Sequence, residues 1–417
     1  MRGLVLSLLL SVALCASAQD AEYYKEIVRE LSSSRYQGRG YALGGVRKAG
    51  KYIEKQFRKM GVDEVTLQPF TIDINTFPGK MRMSVDGRRL CAGSDFVMRE
   101  YSPGVSGKYS LYYVDTLTFD SVRIMSDLAR PESNDAFVVC DFWFTYKHRQ
   151  FFATLQEEGR CRNRGLIYIW DTPLKFYKAY GDKVVGKPVI WVSSSFPQGA
   201  RTVELDIDNR FLPSYESDNV MAKVAGMRHD SCYVFIAHYD HLGNLGRKVF
   251  FPGANDNASG TAGIMTLASH YVKSRPTFDC YFIAFSGEEA NLRGSTYFVE
   301  HPLIPLDRIR YLFNLDMIGD DNPVQYCEVS DEGSTGYMLM ESLNDERHWF
   351  KSLNRGELGA NSDHYVFAQR HVPCIMFENE EGTAFPHYHT PEDSYQNAVL
   401  TTYPAIFGLV TEFISKY

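Results

Sequence analysis

Between Gly44 and Met60 the apolar residues fall at Val46, Ala49, Ile53, Phe57 and Met60, with lysine and arginine filling the gaps and Gly61 just after. That spacing predicts an amphipathic helix ended by a glycine. β-rich text follows over residues 65–90. From about Ala92 to Leu212 the pattern changes to short β runs at 110–114, 136–140, 165–170, 187–192 and 202–207, with helix only around 150–158. This predicts a separate β-rich unit. Beyond Ser214, strands at 233–237, 281–285, 311–315 and 372–377 alternate with helical text at 258–274 and a closing helix at 403–415. Such alternation predicts a three-layer α/β fold, a mixed and mostly parallel sheet with helices on both faces. The expected organisation is one α/β unit, residues 19–91 and 213–417, interrupted by a β-rich insertion at 92–212.

The first residues stand outside this pattern. One cation, Arg2, precedes an apolar stretch over 4–14 and a small-residue site, Ala16-Ser17-Ala18. The stretch is shorter than the roughly 20 residues of a spanning helix, so residues 1–18 read as a secretory signal peptide that exports the chain to the periplasm or beyond. Leu14 before Cys15 disfavours a lipid anchor there, and no later run is long enough for stable membrane insertion. The chain carries 44 Lys plus Arg against 51 Asp plus Glu, a net charge of −7. Nucleic acid is excluded as a partner on that balance, because displacing counterions from phosphate needs a basic surface. Seven cysteines follow the signal segment, an odd number, and Cys140, Cys232, Cys280 and Cys374 lie in or beside apolar runs. They read as small core residues with at most one disulfide.

In open α/β sheets ligands bind beyond the carboxyl ends of the strands. After 233–237 comes His238-Tyr239-Asp240-His241, and after 281–285 comes Ser286-Gly287-Glu288-Glu289. The run 311–315 delivers Asp316, Asp256 precedes the helix at 258, and His389 lies in Pro386-His387-Tyr388-His389-Thr390. Carboxylates crowded on one rim repel each other unless a cation holds them. His238, Asp256, Glu289, Asp316 and His389 are too many donors for one catalytic zinc, which takes three protein ligands and a water. They suit two ions that share a carboxylate. Nitrogen and carboxylate donors without thiolate fit zinc, with manganese or cobalt as substitutes. Of the adjacent glutamates, one can bind metal while the other faces water as a general base.

These strings, together with Asn314-Leu315-Asp316, Ser362-Asp363-His364 and the early Gly38-Arg39-Gly40, resemble the co-catalytic di-zinc aminopeptidases of bacteria, which are related to glutamate carboxypeptidases and glutaminyl cyclases. The resemblance implies that Asp256 bridges two zinc ions, with His238 and Asp316 on one and Glu289 and His389 on the other. It implies Glu288 as general base, Asp240 as the carboxylate that orients His238, and Tyr388 as a hydroxyl donor to the tetrahedral intermediate. In many members a cis peptide follows the residue that matches Asp256. His241, His364 and His387 read as rim or structural residues. The 92–212 unit resembles, more loosely, a protease-associated domain walling the site. The function so implied is removal of N-terminal residues from a peptide or protein. A carboxypeptidase, a glutaminyl cyclase and a receptor-like binding protein are the alternatives on this scaffold.

Overall fold

The computed structural model describes residues 20–133, 135–170, 174–177, 181–378 and 385–417. The signal segment expected over residues 1–18 lies outside the described residues. Two eight-stranded sheets organise the rest. The first comprises β1 (Glu64–Thr76), β2 (Arg210–Val224), β3 (Arg228–His238), β4 (Phe278–Phe285), β5 (Ile309–Leu315), β6 (Val324–Val329), β7 (Ser352–Gly356) and β8 (Cys374–Glu378). Their spatial order is β1-β2-β4-β3-β5-β8-β6-β7. The central strands β4, β3, β5 and β8 run parallel, whereas β1, β2 and β6 pair antiparallel to their neighbours on the β4 and β8 sides.

Alternate residues of β3 feed different cores: Tyr233, Phe235 and Ala237 pack on one side, Val234 and Ile236 on the other. Successive strand side chains point to opposite faces, so this sheet is buried on both. One face is covered by α1 (residues 20–31), α2 (Gly45–Met60), α3 (Gly260–Lys273), α4 (Ser334–Arg347) and α5 (Tyr403–Lys416). The other is covered by the short helices Arg293–Glu300 and His364–Ala368. The apolar stripe of α2 is buried as its spacing demands, and Gly61, at φ 80°, ends the helix by donating its N–H to the Arg58 carbonyl. The layered α/β architecture is the one the sequence pattern predicts.

The second sheet runs, in space, Arg88–Leu90, Met81–Val85, Thr202–Ile207, Val105–Tyr113, Phe137–Asp141, Gly165–Trp170, Val189–Ser193, Phe96–Met98. It has its own core, built on Val138, Val139, Leu166, Ile167, Val189 and Ile190. Its ladder begins at Met81, ahead of residue 92, where the sequence reading starts the insertion. The reason is Phe77, which is buried in this second core, so the chain has already left the first sheet there. Helices at Ser121–Leu128, Phe142–Lys147 and Arg149–Gln156 also belong to this unit, and only the last is legible as helical text. Asp120 caps the first by accepting from the N–H groups of Val122 and Arg123. All seven cysteines from Cys91 to Cys374 are free thiols. Among the described residues no helix is long and apolar enough to cross a membrane.

Candidate metal centre

The candidate residues converge at the carboxyl edge of the first sheet. His238 is the last residue of β3, Asp316 follows β5 directly, and Glu288 and Glu289 follow β4 after Ser286-Gly287. Asp256 sits in the irregular turn Ala254–Ser259 that leads into α3, and its peptide bond to Asn257 is cis. His389 comes from the loop after β8, in a left-handed backbone conformation with φ 57°.

His238 Nε2 lies 3.4 Å from Asp256 Oδ1 and 3.4 Å from Asp316 Oδ1. His389 Nε2 lies 3.1 Å from Asp256 Oδ2 and 3.5 Å from Glu289 Oε2. The two oxygens of Asp256 therefore face different imidazoles. Donor atoms held at about 2.0–2.1 Å around one tetrahedral zinc stand roughly 3.3 Å from each other. The separations here match that spacing, so the residues present fit zinc. Glu288 Oε2 is 3.9 Å from His238 Nε2 and completes a cluster with His238 and Asp316.

The electrostatics carry the same signature. Burial, and after it the neighbouring carboxylates, push Glu288 and Glu289 well above the usual carboxylate range. Burial also opposes the ionisation of Asp256, yet the imidazoles of His241, His389 and His238 together pull it below that range. Negative charge gathered at this density out of water is what a bound cation neutralises.

Several neighbours hold the donors in place. Ser362 donates its hydroxyl to Asp316 Oδ2 at 2.5 Å and accepts from the Asn314 amide at 2.7 Å. Asp393 accepts the backbone N–H groups of Asn255 and Asp256 at 2.8 and 3.0 Å. His238 Nδ1 is 3.1 Å from the Asp240 carbonyl oxygen but 3.9 Å from its carboxylate. The orienting contact is thus made by the main chain of Asp240. Its carboxylate instead accepts from the Tyr41 hydroxyl, at 2.6 Å, and from the Glu288 N–H, at 3.2 Å.

Two residues central to this arrangement escape the sequence reading. His241, read as a rim residue, is fully buried, with Nδ1 2.7 Å from Glu289 Oε1 and 3.7 Å from Asp256 Oδ2. Arg39 is also fully buried, and its five N–H groups go to five backbone carbonyls: Tyr239, Leu31, Pro252, Gly253 and Asp256, at 2.6 to 3.1 Å. Burial lowers its pKa to about 10. It ties α1 to the turn that carries Asp256. The flanking glycines are steric necessities: a Cβ on Gly40 would stand 2.3 Å from Gly243 Cα, and one on Gly38, at φ 65°, 2.3 Å from the Gly243 oxygen.

A cavity of about 340 Å³ opens on the cluster, lined by His238, Asp256, Glu288, Asp316, His389 and Tyr388 together with Glu328, Glu378, Tyr326 and Asn361. Tyr388, half-buried, stacks on the His389 ring with centroids 3.8 Å apart. Tyr326 is a second cavity tyrosine that no motif marks. Glu328 is held by His364 Nε2 at 3.1 Å, the Gly359 N–H at 2.7 Å and the Asn361 amide at 2.8 Å, which buries His364 behind the wall. His387 is not among the residues that line the cavity.

Residues 219–414 match the model of peptidase family M28. Aminopeptidase YwaD of Bacillus subtilis is 31% identical over 229 residues, 52% of this chain and 48% of that protein. Leucine aminopeptidase 2 of Arthroderma otae is 31% identical over 232 residues, 49% of this chain and 46% of that protein. The chain thus spans about half the length of the curated relatives it matches. Among solved structures, BSAP, a zinc aminopeptidase from Bacillus subtilis, superposes with a TM-score of 0.72 at 21% identity, covering 95% of this chain and 94% of that one. The M28 stretch contains all five donor positions, and the shared fold extends through the second sheet as well.

Proposed function

We propose that this chain is an exported zinc-dependent aminopeptidase that uses two ions. His238 and Asp316 would hold one, Glu289 and His389 the other, and Asp256 both. The observation that carries this reading is the split of the Asp256 carboxylate between two imidazoles, at 3.4 and 3.1 Å. His241 fits the role of orienting Glu289, since it engages Oε1 and leaves Oε2 toward His389.

When bound, zinc supplies Lewis acidity that acidifies water and polarises the scissile carbonyl. Glu288, on the cavity wall, takes the proton from the attacking water and delivers it to the leaving amine. Asp240 fixes the Glu288 backbone through the 3.2 Å hydrogen bond, so the base keeps its reach during both transfers. Tyr388 lines the same cavity and is the candidate hydroxyl for the developing oxyanion. Glu328 and Glu378 add negative charge to the wall, and no lysine or arginine is among the described lining residues. That wall favours a substrate with a free ammonium over one presenting a terminal carboxylate.

The test combines metal analysis with kinetics on free-amine and N-blocked dipeptide substrates. Two zinc ions per chain and cleavage of the free-amine substrate alone are expected. Glu288→Gln should keep both ions and lose about 10²–10⁴ in kcat. Full activity in that variant sinks the general-base role. A single ion supports the cyclase, and cleavage of the blocked substrate supports the carboxypeptidase.

A further inference from the structure

Histidines that ligate metals are ordinarily oriented by a hydrogen bond from the ring nitrogen remote from the ion. His238 follows this rule, with Nδ1 3.1 Å from the Asp240 carbonyl. His389 does not: among the described residues its buried Nδ1 has no hydrogen-bond partner. Its backbone is also in the left-handed region, φ 57°, which a non-glycine residue occupies only where its surroundings hold it there.

The surroundings include the second sheet. In sequence between its adjacent parallel strands Gly165–Trp170 and Val189–Ser193, residues Leu174–Tyr177 lie against the first unit's site. The Phe176 N–H donates to the His389 carbonyl at 3.1 Å, and the Phe176 ring stacks on Phe251 with centroids 5.2 Å apart. The Tyr177 ring meets the His389 imidazole edge-on, centroids 4.9 Å apart at 67°, while Tyr388 stacks on the imidazole at 3.8 Å and 25°. Tyr177 in turn leans on Trp191 of the second sheet, at 6.2 Å. Lys175 Nζ lies 4.8 Å from the centroid of the Tyr388 ring.

We propose that Tyr177 is a positioning residue for His389, so that the second unit contributes to one of the two metal positions. The aromatic clamp of Tyr177 and Tyr388 does for the His389 ring what a hydrogen bond does for His238, and the Phe176 N–H holds the strained backbone beneath it. The inference rests on the two-metal reading above. It assigns the second unit a part in metal binding in addition to any part as a wall.

The experiment uses the full chain loaded with cobalt(II) in place of zinc and titrated with a chelator, followed by the visible spectrum of the bound ion. Tyr177→Ala should weaken one of the two cobalt equivalents by about ten-fold or more, the range seen when groups that orient a ligand are removed. The other equivalent should stay unchanged. Activity of this variant should return at high zinc with KM near that of the parent. Tyr177→Phe keeps the ring that meets the imidazole and should hold both cobalt equivalents as the parent does. Unchanged affinity and spectrum for both equivalents in Tyr177→Ala would overturn the proposal, and so would equal weakening of both. If Tyr177→Ala does not fold, Tyr177→Leu carries the same readout. A parent chain that binds only one ion refutes the two-metal reading itself, which is a separate outcome.

Discussion

The two eight-stranded sheets are equal in strand number and unlike in what their strands deliver. In the first, β3 ends in an imidazole, β5 runs straight into a carboxylate and β4 reaches two after Ser286-Gly287, all on one edge and beside the turn that opens α3. In the second, Phe137–Asp141 ends in a carboxylate that only caps the next helix, Asp141 accepting from the Phe144 N–H at 2.9 Å. Gly165–Trp170 ends in aromatic text. The same local geometry therefore gathers ionisable groups in one sheet and serves packing in the other. What separates them is convergence: the candidate donors of the first unit come from five segments onto one point, whereas Asp141 of the second serves its own helix. The second sheet reaches the site through a crossover segment instead.

The largest stability effect that bears on this contrast is expected at Arg39. Arg39→Met leaves five backbone carbonyls without their donor and should cost about 3–5 kcal/mol, measured by denaturant unfolding. Trp143, Trp170 and Trp191 report on the second unit and Trp349 on the first. If the loss is confined to the first unit, tryptophan emission will change later than metal release; coincident transitions would make the two sheets one cooperative body. Next in size, Ser362→Ala removes the hydroxyl that faces Asp316 and should weaken metal binding about 10–100-fold in chelator competition, with the fold intact. An unchanged metal affinity would show that convergence of the donors suffices without their supports. Smallest, Trp143→Gln, on a side chain that is 58% exposed in the second unit, should shift stability by no more than about 0.5 kcal/mol and leave kcat/KM as it is. A loss of activity there would give the exposed side of the helix Phe142–Lys147 a role that the contrast denies it.

Much of the first sheet was legible because buried parallel strands are written as unbroken apolar runs. β3 is the clearest: the run from Tyr233 to Ala237 marks its centre, and the structure extends it to Arg228–His238. β6 and β7 were not read, since Val324–Val329 carries Gln325, Cys327 and Glu328, and Ser352–Gly356 is half polar, the mark of strands near a sheet edge. The candidate donors were legible because His238, Glu289 and Asp316 stand at or within four residues of a strand's carboxyl end and Asp256 in the turn that opens α3, while His389 was marked by its own motif. His241 was not, since its neighbours in space, Glu289 and Asp256, leave no local trace beside it. Arg39 was still less so: a cation satisfied by main-chain carbonyls needs no acidic partner anywhere in the sequence. Residues 174–177 belong to the same class, because their contacts depend on how two units meet.

The partners of Arg39 also set an order in time. Arg39 and Gly253 are 214 residues apart. At about 5–20 residues per second of synthesis, the guanidinium emerges roughly 10–40 s before the carbonyl that receives it. Within that interval every strand of the second sheet, Met81 to Ile207, has been made. The insertion can thus pair its strands while α1, α2 and Arg39 wait in water for the turn that carries Asp256, and its core closes only when Leu242, Leu245 and Phe251 arrive with that same stretch.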